Sequence, residues 1–129
     1  MTAATAGLAG YAYAAMRIVA GFLFLFHGLQ KILGMFGGQV PGVGSLRWAA
    51  GMIELIGGTM IAIGLFTSPV AFICSGEMAV AYFMAHLPRG FWPIQNGGEL
   101  AALYAFVFLY IAVRGAGPLS VDRIWRRKG

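Results

Sequence analysis

Histidine, glutamine and lysine stand at positions 27, 30 and 31 of one strongly apolar run. Residues three and four apart on a helix are neighbours, so His27, Gln30 and Lys31 share one face. Glu54, His86 and Glu99 fall in or at the edge of three further apolar runs, and Asn96 precedes Glu99 by three positions. An ionisable group in hydrocarbon costs a few kcal/mol or more unless it is paired, so each of these residues needs a reason. Histidine and carboxylate have tunable pKa values and can exchange protons with a substrate bound through its carbonyl oxygens. His27, Glu54, His86 and Glu99 are therefore the candidate catalytic groups, with Gln30, Lys31 and Asn96 as candidate substrate-binding groups. At roughly 1.5 Å per residue, Glu54 lies about 12 Å from one end of its run, at the level of the outer cluster. Glu77 is expected deeper, in a second group with Arg17, Arg114 and Asp122. These four are expected to form structural ion pairs, Arg17 with Glu77 or Asp122.

Three other chemistries compete for the outer cluster. A purely structural network would pair Lys31 with Glu99 or Glu54 and fix helix register. A bis-histidine haem site would use His27 and His86 at similar depth. A metal site would draw on His27, His86, Glu54 and Glu99, but ligand spacing such as His-x-x-x-His is absent, and no metal is expected. Cys74 is the single cysteine, which excludes an intramolecular disulfide and a Cys-x-x-Cys redox pair. Dithiol chemistry of the vitamin K epoxide reductase or DsbB kind is thereby excluded for this chain alone. No intrinsic cofactor is expected, and a quinone enters only as a diffusible substrate.

The elements that carry these residues are set by composition. The chain has 129 residues, 60% of them hydrophobic and 10% charged, whereas a soluble domain carries about 25% charge. So little charge cannot cover a water-exposed surface, and the expected solvent is lipid. At about 20 residues per crossing the length accommodates four spans. They are expected at about 11–33, 46–66, 69–87 and 99–114, forming one antiparallel four-helix membrane domain, all-α, followed by a basic tail at 115–129. Glycine and proline punctuate the connections around Pro41, at Thr67–Ser68–Pro69, and from Pro88 to Gly98. The Met residues and the runs FLFLF and YAFVFLY are expected to pack the bundle or face lipid.

Net charge is +5, yet four of the nine basic residues crowd into the last seven positions as Arg123, Arg126, Arg127 and Lys128. No basic stripe follows an element, so nucleic acid is not an expected partner. The bilayer is. Positive charge near the span ends sets orientation. Arg17, Arg114 and the C-terminal cluster fall on one side; Lys31, Arg47 and Arg89 fall on the other. Both termini are thus expected in the cytoplasm, with the chain in the inner (plasma) membrane as a multi-pass protein. No cleaved signal peptide is read, because no positive charge precedes Arg17.

The strings FLFHGLQKI, GMIELIGGTMIAIGLFT, MAVAYFMAHLPRGFWPIQNGGELAALYAF and RGAGPLSVD resemble the DoxX family of small bacterial and archaeal membrane proteins. The resemblance runs from Arg17 to Asp122. It rests on His27, Gly28 and Lys31; on Glu54, Gly57 and Gly58; on Ala85, His86 and Pro88; on Asn96, Gly97, Gly98 and Glu99; and on Arg114, Gly115, Gly117, Ser120 and Asp122. It implies a four-helix membrane bundle. Relatives in the family include a membrane subunit of an archaeal thiosulfate:quinone oxidoreductase and mycobacterial proteins of a thiol-redox membrane complex. The implied function is a quinone-linked oxidoreductase component, acting on small sulfur compounds or on a redox partner protein, with homo-oligomerisation as a further option. Two other expectations stand beside it: a non-catalytic membrane anchor that stabilises a partner, and a small-solute transporter, for which no inverted repeat is found.

Overall fold

The structure is a computed structural model that describes residues 2–128. The last residue of the expected tail, Gly129, and the Lys128 side chain of the basic cluster lie outside that description. All described elements are helical: α1 (Ala3–Leu33), α2 (Leu46–Ile63), α3 (Thr67–Ala81), the short α4 (Pro93–Asn96), α5 (Glu99–Arg114) and α6 (Val121–Lys128). α3 continues through a π-helical turn at Tyr82–His86 and a 3-10 turn at Leu87–Arg89. α1 begins at Ala3 rather than near Tyr11, where Thr2 Oγ1 accepts from the Thr5 amide at 3.2 Å and caps it. Ser45 caps α2 in the same way, accepting from Trp48 N at 3.2 Å. Gly64, with φ 74°, ends α2 in the left-handed conformation that a side chain resists.

Three helices are long and apolar enough to cross a membrane: Ala3–Leu33, Leu46–Ile63 and Thr67–Arg89. Their outward faces are apolar, with Phe72 66%, Phe83 62% and Phe22 50% exposed. Phe106 on the shorter α5 is 71% exposed. A belt of bare aromatic and aliphatic side chains of this kind needs a hydrocarbon solvent.

α1 packs along α2, α3 packs along α5, and α2 meets α3. Small residues bring the first pair together. A Cβ on Gly58 would stand 2.6 Å from Leu25 N, and one on Gly21 would stand 2.6 Å from Ala62 N. Backbone therefore lies on backbone, the packing that glycine allows where no hydrophobic force separates helix from lipid. α3 and α5 are joined by Ser75 Oγ, which donates to Ala105 O at 2.6 Å. Phe24 of α1 meets Phe108 and Tyr104 of α5 with ring centroids 4.8 and 5.2 Å apart, closing the core between the pairs.

At the other end, the residues after α5 form a strap across the helix ends. Tyr13 OH donates to Gly115 O, and Arg17 Nη2 donates to Leu119 O at 2.7 Å. Asp122 accepts from Phe66 N at 2.8 Å and Thr67 N at 2.9 Å, capping α3 from outside its own sequence neighbourhood. Within the expected basic tail, α6 places Trp125 edge-on to Phe66, with ring centroids 5.8 Å apart.

Candidate functional site

Glu54 is buried at 1% exposure in the middle of α2. Lys31, four residues past His27 on α1, reaches both of its carboxylate oxygens, at 2.9 and 2.6 Å. This is the sole ion pair among the described residues. Of the two pairings open to Lys31, the structure forms the one with Glu54. Glu99 is exposed at the start of α5 and makes no side-chain hydrogen bond among the described residues.

Glu77 departs from its expected place. It does not join Arg17 at the opposite end but lies against Glu54, with one carboxylate oxygen buried and without a hydrogen-bond partner. The reason is register. Gly57 on α2 faces Cys74 on α3, so that a Cβ on Gly57 would collide with the Cys74 thiol at 2.5 Å. In this pair Glu54 lies three residues before the contact on α2 and Glu77 three residues after it on α3. The two carboxyls therefore share a level, and Lys31 stands over both.

The remaining members of the expected ion-pair group find other partners. Arg17 is fully buried, and its Nε and Nη1 lack partners; its single hydrogen bond goes to the Leu119 carbonyl rather than to a carboxylate. Arg114 lies over the Tyr13 ring, 4.7 Å from its centroid, as a cation–π contact. Asp122 serves as the α3 cap. Partial burial pushes its carboxyl up, but the hydrogen bonds from the Thr67 and Phe66 amides outweigh that and hold it below the ordinary aspartate value.

Beside Glu54 opens a cavity of about 810 Å³. His27 and Lys31 of α1, Arg47 of α2, Glu77, His86 and Arg89 of the long third helix, and Tyr104 of α5 line it. Its walls are otherwise apolar, including Ile53, Ile73, Val80 and Met84. The π-helical turn helps to place His86 there. In a regular α-helix the nine positions from Glu77 to His86 rotate the side chain to roughly the opposite face. A π turn takes up about one extra residue, roughly 100° of phase, and returns His86 toward the cavity. His86 Nδ1 then lies 3.3 Å from Asn96 O, a bond whose donor depends on the tautomer.

Asn96 and Gln30 stand at the margins. Asn96, 1% exposed, donates to Gly90 O at 2.9 Å and Tyr82 OH at 3.2 Å and accepts from Gly98 N at 2.8 Å. Its amide is consumed in fixing the loop that holds His86. Gln30 lines a second hollow of about 480 Å³ with His27 and Tyr104. His27 and Tyr104 border both spaces, their rings edge-to-face with centroids 6.2 Å apart. Tyr104, Arg47 and Arg89 were not among the residues that sequence reasoning selected. Tyr104 was hidden in the aromatic run YAFVFLY; its position five residues after Glu99, one helical turn and a half inside α5, was the available signal. Among the described residues no three of His, Cys, Asp and Glu are gathered as a metal-binding group.

A protein of Haemophilus influenzae described as uncharacterized is 42% identical over 125 residues, spanning 92% of this chain and 93% of its own. The "Putative oxidoreductase CatD" of Bacillus subtilis is 27% identical over 112 residues, spanning 83% of this chain and 81% of its own. No solved structure matches the chain. The DoxX family model matches residues 12–87, which include His27, Lys31, Glu54, Glu77 and His86. With three apolar helices long enough to cross a membrane, the chain belongs to the DoxX family of membrane proteins.

Proposed function

We propose that the protein is the quinone-binding component of a membrane oxidoreductase, an antiparallel four-helix bundle in the plasma membrane with both termini in the cytoplasm. α5 is the fourth crossing. At about 24 Å it is shorter than a hydrocarbon core of about 30 Å, a mismatch that local thinning of the bilayer absorbs. The observation that carries the reading is the 810 Å³ cavity, apolar in its walls and bordered by His27, Lys31, Glu77, His86 and Tyr104. Reduction of a quinone to a quinol takes two electrons and two protons. A ring in the cavity would find imidazole and phenol donors for its carbonyl oxygens, and the Glu54–Glu77 pair beneath Lys31 as a store of exchangeable protons. The electrons come from outside the chain. Two thiol groups of a small sulfur compound or partner protein, joined into a disulfide, release the two electrons and two protons required. The name of the Bacillus relative supports this class of chemistry.

The test is binding and turnover in lipid nanodiscs. The wild-type protein is expected to bind a short-tailed benzoquinone, and His27→Ala and Glu77→Gln to weaken binding at least tenfold or to abolish quinol formation with a thiol donor and its partner. Absence of binding to the wild-type protein, with benzo- and naphthoquinones alike, would sink the proposal.

A further inference from the structure

We propose that the cleft between α2 and α3 is a lateral gate through which the hydrophobic tail of a lipid-borne quinone lies, and that Gly76 sets its width. The inference rests on the quinone reading and names the form of substrate that the cavity takes.

α2 and α3 leave the tight turn at Gly64–Phe66 together, and they touch where Gly57 meets Cys74 and Val70. Beyond that level the Glu54 and Glu77 carboxyls meet between them, and on the lipid side of that contact both helices line a common space. Ala50 and Ile53 face it from α2, and Gly76, Glu77 and Val80 face it from α3. Ile73, Val80 and Met84 also lie 57%, 53% and 59% exposed. In a membrane protein that exposure is toward acyl chains. The cavity therefore has its charged and aromatic groups inside and an apolar lip at the lipid. An enclosed pocket for a water-soluble substrate needs no such lip.

Gly76 is the one residue of this lip without a side chain. It is exposed, and a Cβ placed on it meets nothing within 4 Å. This contrasts with Gly58 and Gly21, where backbone lies within 3 Å of the same position. A packing role thus explains those glycines but not Gly76. In a helix interior glycine is less favourable than alanine, by about 1 kcal/mol. At Gly76 the absent side chain leaves open space at the lip beside Glu77, where the tail would lie.

The experiment compares two quinones of the same ring, 2,3-dimethoxy-5-methylbenzoquinone without a tail and its decyl derivative, by calorimetric titration of the protein in nanodiscs. The decyl compound is expected to bind the wild-type protein more tightly. Gly76→Phe, whose Cβ meets nothing within 4 Å and whose ring occupies the lip, is expected to weaken decyl binding tenfold or more and leave the tail-less ring unchanged. Gly76→Ala, which adds one methyl group at the lip, is expected to weaken decyl binding less than Gly76→Phe does, and thermal unfolding of both variants checks that they are folded. If both quinones bind and Gly76→Phe changes neither, or weakens both alike, the gate falls while the site stands. If the wild-type protein binds neither quinone, the gate falls together with the site.

Discussion

Lys31 on α1 holds both carboxylate oxygens of Glu54 on α2, at 2.9 and 2.6 Å, within a helix pair whose backbones are in contact at Gly58 and Gly21. The pair is the one ion pair among the described residues. A charge taken from water is stable only with its partner, so removing one member is more harmful than removing both. Lys31→Met alone is expected to destabilise the protein by about 3 kcal/mol or more. Lys31→Met combined with Glu54→Gln is expected to recover most of that loss. Unfolding in detergent, followed by circular dichroism, checks the order; a double variant as unstable as the single one would show that the pair is not acting as a unit.

The α1–α2 contact supplies a second expectation. Gly58→Val places a branched side chain where Leu25 N lies 2.6 Å from the Cβ position, and no rotamer change can relieve a clash with backbone. The helices must separate, and Lys31 loses its reach to Glu54. A loss of several kcal/mol, or failure to accumulate in membranes, is expected from overpacking at backbone contact. Gly76→Ala, which meets open space, is the matched control. Equal expression and melting of the two variants would contradict the packing described.

At the opposite end Asp122 makes the α3 cap sensitive to acid. Its folded pKa lies below the ordinary aspartate value of 3.8, because the Thr67 and Phe66 donors outweigh the effect of burial. A depressed carboxylate contributes stability that is fully present above the unfolded value and is lost as pH falls through the folded value. Docking of the strap is thus expected to be constant from pH 7 to about 5 and to loosen only below 3.8. Asp122→Ala should reproduce the loosened state at neutral pH, at a cost of about 1 kcal/mol typical of a lost cap. Limited proteolysis between Gly115 and Ser120 reads both; indifference to pH and to the substitution would remove Asp122 from the role.

Asn96 fixes the loop behind His86 through three hydrogen bonds at 1% exposure. Asn96→Ala leaves the Gly90 carbonyl and the Gly98 amide without it, at about 1–3 kcal/mol for each group left unsatisfied. The expected result is a lower melting temperature and exchange broadening of the His86 imidazole resonances, with those of His27 unchanged. Sharp His86 signals in the variant would show that the loop is held by other contacts.

Much of this was legible in the residues. The apolar runs mark the long helices because hydrocarbon tolerates little else, and α5 occupies Glu99–Arg114 between a Gly-Gly and a glycine-rich exit. Of the four carboxylates, depth along the helices leaves Glu54 and Glu99 at the level of Lys31. Glu77 was misplaced because depth was counted along one helix at a time. Its level is set by the contact of Gly57 with Cys74, and a single chain of letters does not reveal which glycine meets the Cys74 thiol. His86 owes its orientation to a π turn that leaves no trace in hydrophobic periodicity. Arg17 was assigned a carboxylate because a buried cation demands compensation; the backbone carbonyl of Leu119 answers part of that demand, and carbonyls carry no sequence signature.

The cap on α3 also orders events in time. The amides of Phe66 and Thr67 receive their acceptor from Asp122, 56 and 55 residues downstream. During synthesis the α2–α3 turn is therefore made before its acceptor exists, and Phe66, at φ 47° in the folded protein, has no Asp122 carboxylate for its amide until the strap follows. Only when the strap emerges does the turn lock, so the strap closes the assembly rather than merely trailing from it. A ribosome halted before Asp122 would leave the apolar hairpin in the bilayer with its floor still open.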